Sequence, residues 1–129
     1  MDNEFIYTDI VRDYECDIQG IVNNSNYQHY LEHARHQFLR SKNVSFADLH
    51  SRGIDVVVAN VDISYKYPLR PNDEYECTLR VEKQLVKYMF FQNIYRKSDH
   101  KLCVRAKTAC VALVNGQLVA KHPELDALL

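Results

Sequence analysis

Arg12-Asp13-Tyr14-Glu15-Cys16-Asp17-Ile18-Gln19-Gly20-Ile21-Val22-Asn23-Asn24-Ser25-Asn26-Tyr27 leads straight into a run whose apolar residues recur on a helical period. Tyr27, Tyr30, Leu31, Ala34, Phe38 and Leu39 fall at i, i+3, i+4, i+7, i+11 and i+12, one continuous stripe on a 3.6-residue turn. Gln28, Glu32, Arg35, Gln37 and Arg40 fall mostly off that stripe, so one face is built for a core. Asn23-Asn24-Ser25-Asn26 offers several N-caps, because short polar side chains accept hydrogen bonds from the first, otherwise unpaired, helix amides. The helix is therefore expected to start between Asn24 and Asn26.

On either side of this helix the pattern is that of strands. Glu4 to Val11 reads as a first strand with Phe5, Tyr7 and Val11 as its apolar members, and Ser45 to Arg52 as a short capped helix stopped by Gly53. From Val57 the period falls to two. Val57, Ala59, Val61, Ile63, Tyr65 and Tyr67 alternate with Val58, Asn60, Asp62, Ser64 and Lys66, which predicts one uninterrupted half-buried strand. The turn Pro68-Leu69-Arg70-Pro71-Asn72-Asp73 ends it, and Tyr75, Cys77, Leu79 and Val81 open a second alternation. Val86 to Arg96 is apolar on both phases and reads as a central strand. Leu102 to Val114 is the last long strand, Asn115-Gly116 a hairpin turn, Gln117 to Ala120 a return strand, and the chain from Pro123 a tail. One amphipathic helix and several long antiparallel strands make an α+β unit in which a sheet wrapped around the helix buries its stripe.

The 129 residues suit one domain, 1–129, without repeats or linkers, and the net charge of -1 argues against a nucleic-acid or membrane-surface binder. Cys16, Cys77, Cys103 and Cys110 show no metal or disulfide spacing. With neither a signal peptide nor a long apolar run, a reduced cytoplasmic setting is expected. Cys16 lacks a histidine neighbour that would make it a nucleophile.

Asp17 stands just ahead of the helix start. A helix N-terminus presents free amides and the positive end of a dipole, so it polarises a carbonyl and steadies a developing oxyanion. A carboxylate beside it can attack the carbonyl or activate water. The alternative is that Asp17 only caps the turn into the helix.

The pattern Asp17-Ile18-Gln19-Gly20-Ile21-Val22-Asn23-Asn24, followed by Tyr27, Tyr30, Glu32 and Ala34-Arg35, resembles the signature of the hotdog-fold acyl-CoA thioesterases, the group containing 4-hydroxybenzoyl-CoA thioesterase. The resemblance implies a hotdog fold, thioester hydrolysis and no metal or organic cofactor. It implies a homo-oligomer, either a homodimer or a homotetramer, joined edge to edge with the acyl channel along the shared boundary. It assigns Asp17 as nucleophile or general base and the backbone amide of Asn24 as the group that polarises the thioester. Gly20, Tyr27, Val58, Ala59 and Asn60 are implied to line the substrate site, and Lys66, Arg70 and Lys87 to meet the phosphates of coenzyme A. The substrate would be an acyl-CoA or an acyl carrier protein thioester, with neither nucleic acid nor membrane as partner. Relatives that recruit a histidine carry it at the Asn24 position or in the loop, where this chain has Gln19 and Ile21. Leaving-group protonation then falls to water. The missing histidine also disfavours a hotdog dehydratase, and the competing class is a non-catalytic hotdog module that holds acyl chains or drives oligomerisation. His29-Tyr30-Leu31-Glu32-His33, with His36, matches a zinc-hydrolase string, but it lies on a polar flank without an evident further ligand, so no metal is expected.

Overall fold

The computed structural model describes residues 4–129. Six strands, β1 Phe5–Ile10, β2 Ile54–Tyr65, β3 Glu74–Gln84, β4 Lys87–Arg96, β5 Lys101–Val114 and β6 Gln117–Val119, form one antiparallel sheet. The order is β1-β3-β4-β5-β2, with β6 beside the far end of β5. The long helix α1, Asn24–Ser41, lies along the concave face of the sheet, α2, Phe46–Ser51, connects it to β2, and α3, Pro123–Asp126, closes the chain. This is the hotdog arrangement.

The helical stripe explains why α1 sits inside the curl. Tyr27, Tyr30, Leu31, Ala34, Phe38 and Leu39 are all buried, and they pack on the inward residues of β3, β4 and β5. Ser45 caps α2 by accepting the Asp48 amide, and Gly53, at φ +80°, leaves the helix in the left-handed region that glycine tolerates. No helix among the described residues is long and apolar enough to cross a membrane.

Two expectations need correction. The alternation from Val57 to Tyr67 is not uninterrupted: the pairing with β5 slips between Val58 and Asn60, so Ala59 is an extra residue in a β-bulge. Val56 and Val58 therefore share the inner face with Val61, Ile63 and Tyr65, opposite Ala112, Cys110, Thr108, Ala106 and Val104. A strict period of two would have put Val58 and Val61 on opposite faces. The chain beyond Pro123 is not a tail either. Pro123 starts α3 at the position where its missing amide costs nothing, His122 caps it, and Leu125 and Leu128 are buried in the core.

The sheet ends in an exposed edge. β2 is the outermost strand beside β5, and its residues from Val57 to Asp62 are exposed, with Val58 at 50% and Val61 at 38%. An edge strand with unpaired backbone groups and apolar side chains invites a further strand.

Candidate active site

The loop ahead of α1 is a closed hairpin. Cys16 bridges to Val22, the Asp17 amide donates to the Ile21 carbonyl at 2.9 Å, and the Gly20 amide donates to the Asp17 carbonyl at 2.9 Å. Gly20 turns the chain at φ +77°. One carboxylate oxygen of Asp17 accepts the Gln19 amide at 2.9 Å, an Asx turn, and its second oxygen has no partner among the described residues. Beside it Ile18 is fully exposed, at 101%. Burial and the surrounding acids raise the Cys16 thiol above its ordinary pKa, the reverse of what a thiolate nucleophile needs.

Asn23 caps α1. Its side-chain oxygen accepts the Ser25 amide at 3.0 Å and the Ser25 hydroxyl at 2.8 Å. Asn24 is then the first helical residue, and its amide donates to no group among the described residues. The start of the helix is held from both sides. The Asn26 side chain donates to the Glu15 carbonyl at 2.8 Å, and the Tyr30 hydroxyl donates to the Glu15 carboxylate at 2.7 Å. The Tyr27 hydroxyl accepts the Leu69 amide at 2.9 Å, while the Leu69 carbonyl accepts the Val22 amide at 2.9 Å. Leu69 thus clasps the loop before the helix and the first turn within it. Burial pushes the Tyr27 phenol up to about 12, and burial followed by the Glu15 hydrogen bond raises Tyr30 further.

A cavity of about 230 Å³ opens at this helix end, bordered by Ile21, Val22, Asn24, Tyr27, Tyr65 and Lys66. A second, of about 400 Å³, lies further along α1 between Glu32, Arg35 and His36, the α2 residues Phe46 and His50, and Val56 and Val58 of β2. Asn24, Gln28, Glu32 and Arg35 fall on one helical face by their spacing, so both cavities border one track along that face of α1. The exposed inner side of β2, Val58 and Val61, flanks that track.

The predicted residues divide accordingly. Asn24, Tyr27 and Lys66 come together at the first cavity, and Val58 lines the second. Ala59 and Asn60 form the bulge between them. Gly20 shapes the loop. Asp17 lies in that loop but does not border the first cavity. Arg70 is exposed in the turn after β2, its amide bound to Asp73 at 2.9 Å. Lys87 pairs with Val111, while Lys66 bonds to Cys103. Eight positions of β5 separate those points, roughly 27 Å at strand rise, so one chain does not bring Lys66 and Lys87 together. The histidines do not converge either: His33 meets Tyr7 edge-on at 5.2 Å, and His36 packs on Phe46 at 4.7 Å. Among the described residues no cluster of His, Cys, Asp or Glu is arranged to hold a metal ion. Sequence reasoning missed Tyr65 and Arg35 as lining residues; the helical face shared with Asn24 was the available signal for Arg35.

Comparison with known proteins bears on the family and the fold. The thioesterase-like superfamily matches residues 11–128. A protein of Aquifex aeolicus is 39% identical over 126 residues, 97% of each chain. Acyl-acyl carrier protein thioesterase ATL2 of Arabidopsis thaliana is 31% identical over 88% of this chain, which spans 61% of that protein's length. The crystal structure of a 1,4-dihydroxy-2-naphthoyl-CoA thioesterase from Synechocystis superposes with a TM-score of 0.91 at 17% identity, covering 98% of this chain and 95% of that one, a likeness of fold. On the extent of the family match, the chain belongs to the thioesterase-like superfamily and is a hotdog-fold thioester hydrolase.

Proposed function

We propose that the protein hydrolyses acyl thioesters of coenzyme A or acyl carrier protein, with the thioester carbonyl at the Asn24 amide and Asp17 as the attacking or water-activating carboxylate. The observation that carries this reading is the unbonded Asn24 amide at the head of an eighteen-residue helix, opening on a cavity rimmed by Tyr65 and Lys66. Helix dipole and amide together stabilise the oxyanion formed when an oxygen adds to the carbonyl carbon. Collapse of that adduct expels the thiolate, which takes its proton from water. If Asp17 itself attacks, a mixed anhydride forms and a second water cleaves it; if Asp17 is a base, it accepts the proton of the attacking water.

A second copy of the chain completes the site in this proposal. Exposed apolar residues on the β2 edge support edge-to-edge pairing, which would roof the track along α1. Antiparallel pairing would also carry Lys87 of one copy toward the Lys66 and Arg70 end of the other, where the carrier's phosphates would lie. One observation favours a second reading: Asp17 already caps its turn and stands off the first cavity. In that reading Asp17 only shapes the loop, and water attacks the thioester without it.

Thiol release from a panel of acyl-CoAs separates the two. Asp17→Asn is expected to lower kcat by about 10²- to 10⁴-fold. Asn24→Pro deletes the amide at a position where proline suits the helix, and is expected to lower kcat by about 10²- to 10³-fold with helicity kept. Asn24→Ala should keep most activity. Full turnover in Asp17→Asn overturns the assignment of Asp17 and favours the second reading.

A further inference from the structure

The buried core falls into two apolar clusters, one around the first half of α1 and one around the second. Polar groups occupy the seam between them. Gln92 on β4 is 1% exposed; its amide donates to the Leu31 carbonyl at 3.0 Å, and its oxygen accepts from the Arg35 guanidinium at 3.0 Å. The Gln92 side-chain oxygen is the only acceptor for the five guanidinium donors of Arg35 among the described residues, and no carboxylate there lies within ion-pair distance. A half-buried cation with no bonded carboxylate is costly, and burial holds the Arg35 pKa below its ordinary value although the charge of Glu32, one turn away, opposes the shift.

Arg35 lines the 400 Å³ cavity. Of the other charged groups there, only Asp55 has a partner within hydrogen-bond distance. Asp55 is 2.6 Å from His50, and Glu32 is 4.0 Å from His36, whose pKa burial lowers. The walls between them, Phe46, Val56 and Val58, are apolar. A second unmet polar group adjoins the site: the buried Thr108 hydroxyl has no partner among the described residues, and Thr108 is one inward step along β5 from Cys110, which lines the cavity. From position 24 to positions 32 and 35 the helix advances roughly 12 to 16 Å. At about 1.2 Å per bond of extended chain, that is roughly ten to thirteen bonds from the Asn24 amide.

Resting on the thioesterase reading, we propose that Arg35 is a specificity-determining residue. Its cavity is a subsite for an oxygen, hydroxyl or carboxylate, at the far end of a medium-length acyl chain whose carbonyl sits at Asn24. Gln92 is the positioning residue that aims the guanidinium.

The test is calorimetric binding of three uncleavable thioethers of coenzyme A: S-dodecyl, S-(12-hydroxydodecyl) and S-(11-carboxyundecyl). At least one oxygenated compound is expected to bind about tenfold or more tightly than S-dodecyl, the scale of one hydrogen bond to a charged donor. Which of the two does so tells hydroxyl from carboxylate. In Arg35→Met that advantage should shrink to within about twofold, and Arg35→Lys should restore part of it as a point charge. Equal binding of all three by the natural chain overturns the subsite and leaves the thioesterase reading standing; that comparison needs no variant to fold. Binding of none of the three overturns the subsite and the coenzyme A reading together. An advantage that survives intact in Arg35→Met assigns the oxygen to another group and removes Arg35.

Discussion

The two halves of α1 pack on the same sheet with different chemistry. Around the first half three phenols, Tyr27, Tyr30 and Tyr75, are buried among aliphatic side chains such as Leu31, Leu69 and Ile94. Tyr30 stacks on Tyr75 at 4.8 Å and meets Tyr27 edge-on at 5.9 Å, and the hydroxyls of Tyr27 and Tyr30 are bound to Leu69 and Glu15. Around the second half Phe38, Leu39, Leu49, Leu79 and Leu125 fill the space with hydrocarbon, and the one phenol, Tyr88, donates to Asp126 of α3. A phenol buries a large ring and still has a polar tip to place, so the first cluster fixes a loop while it excludes water. The second cluster has no loop to fix. Stability and positioning are therefore separable along one helix, and substitutions in the two halves should differ in kind.

The largest expected effect on stability belongs to the hydrocarbon half. Leu49 is fully buried, and Leu49→Ala should destabilise the fold by about 2 to 5 kcal/mol, read as a shift of the urea midpoint. Activity per folded molecule should be unchanged. Next comes Tyr27→Phe. It strands the buried Leu69 amide, for about 1 to 3 kcal/mol, and should lower kcat as well, because Leu69 also holds Val22. An equal loss of specific activity in both variants would break the comparison. The phenols add a pH signature. Burial raises Tyr7, Tyr27 and Tyr88 to about 12 from an ordinary 10. Between pH 10 and 12 the unfolded chain releases protons that the fold retains, so this stability, complete below pH 10, is lost as pH rises through 12. Alkaline unfolding should be shallower in Tyr27→Phe than in the natural chain.

Most of this architecture was legible from periodicity. All six positions of the helical stripe are buried, and the Asn run does contain the cap, because both depend on local spacing and local hydrogen bonding. The loop around Asp17 was legible for the same reason, including the turn-capping role the structure gives that residue. What was hidden depends on the backbone or on distant segments. A bulge adds one residue without changing composition, so Ala59 carried no mark. The short C-terminal helix buries only Leu125, with Leu128 just beyond its end, too few positions to declare a period. Tyr65 borders the cavity because β2 curls past the helix end, and no spacing rule states how far a sheet curls.

The hairpin between β3 and β4 was hidden for a different reason, and it carries the smallest prediction. Gln84 pairs with Lys87, so Leu85 and Val86 alone make the turn, without glycine or asparagine to announce it. Leu85 takes φ +56° and is 94% exposed, so its side chain gains almost nothing from packing. The left-handed conformation costs a leucine roughly 1 to 2 kcal/mol. Glycine removes that cost but adds roughly 0.5 to 1 kcal/mol of chain entropy to be lost on folding. Leu85→Gly should therefore stabilise the protein by about 0.5 to 1 kcal/mol, seen as a higher urea midpoint at an unchanged slope. The turn leads out of the hydrocarbon half, with Val81 and Tyr88 of the flanking strands in that cluster, so the gain should leave thiol release untouched. A change in kcat without a change in midpoint would mean that the two halves of the helix are coupled through the sheet.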